Sequence, residues 1–235
     1  MDITFVYHSC FLVELERCSL LFDWYGGDLP EIDRSKPLYV LNSHHHGDHY
    51  SPEIFSLGME KTWYILGSCI RLSAKRKAAL GIEEERVFRL GGGRELTLGD
   101  LRLTTLHSTD SGVAFLVETE GKTIYHAGDL HWWHWEGEPA QWNRDMERDF
   151  KRELRTLEGR VIDVAFLVLD PRQEEAYWLG FDWVMTHVDV RAAFPMHSWE
   201  AFWIAKKLIS DPRSEGYRAR LHPVLYNGQR FVLEE

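Results

Sequence analysis

Cysteine is scarce in this chain. Cys10, Cys18 and Cys69 are its only three, and none falls in a Cys-x-x-Cys pair. A sparse, odd set makes no disulfide framework and reads as reduced thiols in a cytosolic protein, packing rather than ligating. No run of about 18 apolar residues occurs, so no membrane span is expected. The opening Met1-Asp2-Ile3-Thr4 lacks the basic-then-apolar pattern of a secretory signal. Basic residues are outnumbered, 27 Lys plus Arg against 37 Asp plus Glu, for a net charge of −10. That balance argues against gripping long nucleic acid through its phosphates and leaves room for a small anionic substrate at a locally positive site. Repeats, linkers and low-complexity segments are missing too. What remains, 235 residues that are 44% hydrophobic and 27% charged, fits one soluble domain over 1–235 with a sizeable core.

Against this background one stretch stands out, Ser43-His44-His45-His46-Gly47-Asp48-His49-Tyr50. It follows the apolar run Leu38-Tyr39-Val40-Leu41, which reads as a buried strand. Side chains of extended chain repeat with period two, so His44 and His46 leave the strand end on one side and can grip one ion. Asp48 and His49, on the turn eased by Gly47, can reach a second ion beside it. Imidazole and carboxylate suit Zn, Mn or Fe. A surface turn that happens to be rich in His is the bland alternative; an internal cluster placed at a strand end argues against it. Two coordination shells need at least three further ligands from elsewhere in the chain.

Short strands are expected over Ile3 to Val6, Cys10 to Leu15 and Ser19 to Trp24, with His8 in the first turn as either a loop histidine or part of a site floor. Pro52 opens a short helix to Leu57, Thr62 to Leu66 is a strand, and Ile70 to Leu80 reads as a basic helix stopped by Gly81. Strands follow over Arg86 to Leu90, Glu95 to Leu98, Leu101 to Leu106, Val113 to Glu118 and Thr123 to His126. His107 and Asp129 thus stand at strand ends, as the first cluster does. Residues 131–160 form a Trp-rich insert, in which Met146, Phe150, Leu154 and Leu157 mark one face of a helix from about Arg144. Val161 to Leu169 is a doubly buried strand ending at Asp170, read with Asp163, His187 and His222 as capping, turn or surface. Helices over 176–189 and Trp199 to Ile209 flank a strand from Arg191 to Met196 that ends at His197, and strands over Leu221 to Tyr226 and Arg230 to Leu233 close the chain.

Taken in order, His44-His45-His46-Gly47-Asp48-His49, His107-Ser108-Thr109-Asp110-Ser111-Gly112, Gly128-Asp129 and Pro195-Met196-His197 resemble the ligand motifs of the metallo-β-lactamase superfamily. The opening Tyr7-His8-Ser9-Cys10-Phe11-Leu12-Val13-Glu14, with Leu21-Phe22-Asp23, is similar to the branch that includes ascorbate-6-phosphate lactonase and related metal-dependent hydrolases. The resemblance implies an α/β fold, a four-layer αββα sandwich with the site at one edge between its sheets. It also implies that His44, His46 and His107 hold a first ion, that Asp48, His49 and His197 hold a second, and that Asp129 bridges them. Class B lactamases usually carry Cys at the bridging point; Asp129 here places the chain nearer the glyoxalase II, lactonase and phosphodiesterase members and argues against antibiotic hydrolysis. The Trp-rich insert matches none of the characterised members.

Two divalent ions bring about +4, offset by about −3 from Asp48, Asp129 and hydroxide, so the site favours an anionic substrate group. Metals lower the pKa of bound water toward about 7, which supplies hydroxide for attack on a carbonyl carbon or phosphorus. Asp48 is the candidate to orient that hydroxide; His8 and His131 are candidate acids, neither compelling. His131, Trp132 and Trp133 follow Asp129 closely enough to serve as a substrate wall, or else as aromatic core under the insert helix. The expected activity is hydrolysis of an ester, lactone or phosphoester in a small anionic molecule by a dinuclear, first of all zinc, cytoplasmic enzyme without nucleic-acid or membrane partners. A nuclease or nucleotide phosphodiesterase would want a basic track, and a non-catalytic metal sensor would be expected to have lost ligands.

Overall fold

The computed structural model describes residues 1–57, 60–73, 81 and 83–234. Two sheets carry the fold, one of seven strands in the order β13-β1-β2-β3-β4-β5-β6 and one of six in the order β12-β11-β10-β9-β8-β7. The first comprises β1 (Asp2–Tyr7), β2 (Cys10–Glu14), β3 (Ser19–Phe22), β4 (Leu38–Asn42), β5 (Thr62–Gly67), β6 (Val87–Leu90) and β13 (Arg230–Val232). The second comprises β7 (Glu95–Leu98), β8 (Leu101–His107), β9 (Val113–Thr119), β10 (Lys122–His126), β11 (Val161–Val168) and β12 (Asp189–Met196).

One apolar cluster joins the sheets. Phe11 of β2 stacks on Phe166 of β11 with centroids 4.0 Å apart, and Phe22 of β3 lies 5.8 Å from the same ring. All three are fully buried, each contributing about 1.5–3 kcal/mol relative to exposure. A second cluster, with Leu12, Leu21, Val40 and Leu66, covers the outer face of the seven-stranded sheet. Strands β2, β3, β4 and β11 are buried along nearly their whole length, which is why they read as apolar runs rather than alternating ones.

Strand direction places the site. β3 and β4 run parallel, as do β10, β11 and β12. Their carboxyl ends therefore emerge at one edge, the usual position for a site in parallel sheets. Asp23, Ser43, Asp129, Asp170 and His197 all lie just beyond those ends.

The helices differ in detail from the sequence expectations. The insert helix α1 spans Ala140–Leu154, starting four residues before the expected Arg144, because Pro139 ends the extended chain before it. Phe150 and Leu154 are buried on α1, and Leu157 on a following 3-10 turn. Helix α2 is Leu179–His187. Helix α3, Trp203–Ser210, starts later than expected, since Trp199 and Glu200 take left-handed backbone with φ of 52° and 61°. The segment after Pro52 is a 3-10 turn capped by Ser51 Oγ. Leu221 to Tyr226 forms no strand; one bridge from Leu221 to Ala193 is all that forms, and Pro223 lacks the N–H a ladder needs. The basic helix expected over Ile70 to Leu80 falls mostly on 74–80, outside the described residues; 70–73 are irregular. Among the described residues no helix is long and apolar enough to cross a membrane.

Candidate metal centre

The His cluster is fastened to the end of β4 by its own backbone. Asn42 Nδ2 donates to the carbonyls of Trp24 and His49, at 3.1 and 2.7 Å, folding the turn back onto the strand end. The N–H groups of His49 and Tyr50 both donate to the His46 carbonyl. Ser43 is enclosed so closely that no side chain fits opposite it. A Cβ on Gly112, whose φ is +72°, would lie 2.1 Å from the Ser43 carbonyl oxygen, and one on Gly128 would lie 2.7 Å from Ser43 Cβ.

Two groups of ligand-type side chains meet at this edge, His44, His46, Asp110 and Asp129 in one, His8, Asp48, His49 and His197 in the other. Within each group the ligand atoms lie within 4.8 Å of one another. Asp129 faces both. Its Oδ2 is 3.3 Å from His44 Nε2, while its Oδ1 is 3.3 Å from His49 Nε2 and 3.5 Å from His197 Nε2. His44 Nε2 also converges with His46 Nδ1 at 2.9 Å. His8 Nε2 and Asp48 Oδ2 stand 3.3 Å apart.

Buried partners aim the imidazoles. His49 Nδ1 donates to Asp23 Oδ2 at 2.7 Å, and His197 Nδ1 to Asp170 Oδ2 at 3.0 Å. Ser43 Oγ donates to Asp23 Oδ2, so His44 Nδ1 donates in turn to Ser43 Oγ at 2.9 Å. Each of these three rings thereby turns its Nε2 toward Asp129, the arrangement that orients metal-binding histidines. The geometry is held against strain. His8, Asp23 and His197 all take positive φ, at 50°, 44° and 62°, each at a cost of order 1–3 kcal/mol.

These residues fit metal ions. His49 Nε2 and Asp129 Oδ1 are buried and make no hydrogen bond, a cost of about 1–3 kcal/mol apiece that an ion between them removes. The donor set, imidazole nitrogen and carboxylate oxygen, matches that chemistry. Burial works against the charged form of Asp129, yet His49, His44 and His197 hold its carboxyl well below the usual range. Burial likewise disfavours the His49 cation, but Asp129, Asp23 and Asp48 raise it to about 9. Without an ion, protons bind where cations belong.

Three residues expected at the site lie elsewhere. His107 sits over Gly92 and Gly93, with its Nδ1 3.2 Å from Glu153 Oε2, and its side chain is 63% exposed. It is the last residue of β8, whose direction carries its ring away from His44, and Asp110 on the following turn stands in its place. His131 is buried below the cavity, its Nε2 donating to Gln173 Oε1 at 2.6 Å. Burial lowers its pKa to about 4, partly offset by Gln173. Trp132 turns outward from the site against Phe150 and the Lys151 ammonium. Of the three residues expected to form the wall, Trp133 alone lines the cavity, its Nε1 donating to the Asp129 carbonyl at 3.1 Å.

That cavity, about 420 Å³, opens directly over both groups and is walled by Trp133, Trp135, Trp142, Met146, Arg172 and Trp199. A larger depression of about 950 Å³ lies at the opposite end of β2, around Glu16, Arg17 and Asp100, and holds no histidine.

Residues 2–141 match the family described as the beta-lactamase superfamily domain. The chain belongs to that family. Among curated relatives, the UPF0173 metal-dependent hydrolase of Natranaerobius thermophilus is 29% identical over 138 residues, covering 55% of this chain and 60% of its own. The UPF0173 metal-dependent hydrolase of Desulforamulus reducens is 30% identical over 157 residues, covering 55% of this chain and 62% of its own. The chain thus spans about three fifths of the length of the curated relatives it matches. Two solved structures share the fold. Igni18, a metallo hydrolase from Ignicoccus hospitalis, superposes with a TM-score of 0.63 at 14% identity, covering 100% of both chains. The metallo-beta-lactamase fold protein YhfI from Bacillus subtilis gives 0.61 at 12% identity, covering 98% and 99%.

Sequence reasoning missed the support of this beta-lactamase superfamily site. Asp170, read as a capping or turn residue, is fully buried behind His197; Asp23 is fully buried behind His49. Both stand just beyond an apolar strand, the signal that had marked Asp129. Arg172 gave no signal, because it reaches the cavity only through the fold.

Proposed function

We propose that the protein is a metal-dependent hydrolase that holds two divalent ions, zinc first and manganese or iron as alternatives. It acts as one domain on an ester, lactone or phosphoester of a small anionic molecule. The observation that carries this reading is Asp129, whose two oxygens face two separate groups of ligand atoms. His44, His46, Asp110 and Asp129 would hold one ion, and His8, Asp48, His49, His197 and Asp129 the other. Bound there, the ions acidify water and polarise a carbonyl or phosphoryl oxygen.

The chain's own side chains would do the rest. Asp48 is half-buried and lines the cavity, so its Oδ2 can accept the proton of the attacking water and hold that water in line. Burial opposes its charge, but His8 and His49 keep its carboxyl ionised below the usual range. The water oxygen bonds to carbon or phosphorus, the bond to the leaving oxygen breaks, and that oxygen takes up a proton. The tryptophan wall would keep bulk water off the substrate. A cyclic ester stays among the candidate bonds through the resemblance to the ascorbate-6-phosphate lactonase group. A cytosolic setting agrees with Cys10, Cys18 and Cys69 as free thiols.

Elemental analysis combined with a panel of lactones, esters and phosphodiesters, assayed after zinc or manganese loading, tests the reading. Turnover that is abolished by chelation and restored by metal is expected. Stoichiometric metal without turnover of any class would replace the hydrolase with a metal-binding protein.

A further inference from the structure

The cavity over the metal groups has a composition that selects its ligand. Among its described lining residues Arg172 is the one Lys or Arg. Its guanidinium is held on two sides. Nε and Nη2 donate to the buried Asp170 carboxylate, and the plane lies 4.8 Å from the Trp199 ring. Nη1 donates to none of the described residues. A guanidinium fixed in this way loses little freedom on meeting an oxyanion, and its planar edge suits carboxylate or phosphate.

The opposite wall is equally set. Trp133 and Trp135 lie near parallel, 5.8 Å apart at 8°. Trp133 is tied to the Asp129 carbonyl. Trp135 is clamped by Asn143, which accepts from its N–H at 3.0 Å and donates to its carbonyl at 2.8 Å. Helix α1 adds Trp142 and Met146. Flat aromatic surfaces favour flat apolar ligands, and Met146 can adapt to their edges. The volume of about 420 Å³ lies near the lower end of the usual range of about 300–1,000 Å³, room for one small molecule.

We propose that this site takes a substrate with a flat aromatic body and an oxyanion group, the charge pairing with Arg172 and the body lying on Trp133, Trp135 and Trp142. This rests on the hydrolase reading for the reaction but not for the binding.

Titration of the metal-loaded protein, followed by tryptophan fluorescence and calorimetry, tests it with ligands that cannot be turned over. Naphthoate and naphthylphosphonate should each bind about tenfold or more tightly than neutral naphthylmethanol, and than butyrate or methylphosphonate. The stronger of the two anions identifies carboxylate or phosphate as the natural group. Arg172→Gln should remove the preference for charge, and Trp142→Ala the preference for the aromatic body. Metal content is measured in each variant, because Arg172 also braces Asp170. If Arg172→Gln loses metal, Arg172→Lys decides, with retained metal and retained anion preference in support. Equal binding of naphthoate and naphthylmethanol, or an anion preference that survives Arg172→Gln intact, would overturn the proposal. Binding that depends on Arg172, without turnover of any substrate class, would keep the proposal and remove the hydrolase reading. Ester turnover without any preference for flat anions would do the reverse.

Discussion

Asp23 Oδ2 accepts a hydrogen bond from His49 Nδ1 at 2.7 Å, with neither side chain exposed to solvent. The two come from different strand ends, and the contact commits His49 to present Nε2 to Asp129. Asp23 also accepts from the Ser43 N–H and Oγ, at 2.6 and 2.8 Å, so one carboxylate aims both His49 and, through Ser43, His44.

Asp23→Asn keeps the shape but lets only one side-chain oxygen accept. Metal affinity should fall by about 10–100-fold, the usual consequence of losing a partner behind a ligating histidine. Competition with a chromogenic chelator measures it. An unchanged affinity would show that His49 needs no such partner.

Asp129→Ala should cost at least about that 10–100-fold for both ions together, because its two oxygens serve both groups. The far-ultraviolet circular dichroism spectrum should be retained. Loss of one ion alone, seen by elemental analysis, would argue that Asp129 belongs to a single group.

Asp110 and His107 give opposite expectations. Asp110→Asn should lower the loaded metal content, since its Oδ2 is 3.7 Å from His46 Nδ1 on the cavity side. His107→Ala should leave that content unchanged and cost at most about 1 kcal/mol of stability, as the His107 side chain of its pair with Glu153 is largely exposed. The opposite pattern would return His107 to the centre.

Gly112→Ala should disrupt the site from the backbone. The added carbon meets the Ser43 carbonyl at 2.1 Å, and the left-handed φ of +72° is itself unfavourable for alanine. A loss of more than about 1 kcal/mol is expected, with weakened metal binding, read by thermal melting with and without metal. A neutral substitution would show that the turn after β8 is free to shift.

Asp182 supplies a pH dependence away from the candidate metal centre. Burial raises its pKa, opposed by the hydrogen bond from Tyr217 Oη at 3.0 Å. A raised folded value means the native state binds more protons than the unfolded one, so stability falls as pH climbs from the ordinary carboxylate pKa through the folded one. Asp182→Asn can still accept from Tyr217 and removes that fall. Its melting temperature should match wild type near about pH 3.5 and exceed it near about pH 7. A gap that closes with rising pH would contradict the sign.

The ligand motif and the strand pattern were legible along the chain because both are local. An apolar run ending in His, Asp or Gly-Asp can be read without knowing where it goes, and β4, β10 and β12 end where such runs predicted. Buried strands are set by hydrophobic content over a few residues. So the sequence by itself placed His44, His46, Asp48, His49, Asp129 and His197 at strand ends as the side chains that meet there, and the resemblance carried by those motifs implied the sandwich and the edge at which the site is built. The tertiary structure decided the rest. Whether His107 or Asp110 faces His44 depends on where the last residue of β8 points, and a one-residue step in a strand reverses that direction. Whether a tryptophan is wall or core depends on which side of the insert α1 packs, which put Trp133 over the two ligand groups, Trp132 against Phe150, and His131 beneath both. The pairings of Asp23 with His49 and of Asp170 with His197 join residues 26 and 27 positions apart, and only the parallel pairing of strands brings such carboxylates behind their histidines.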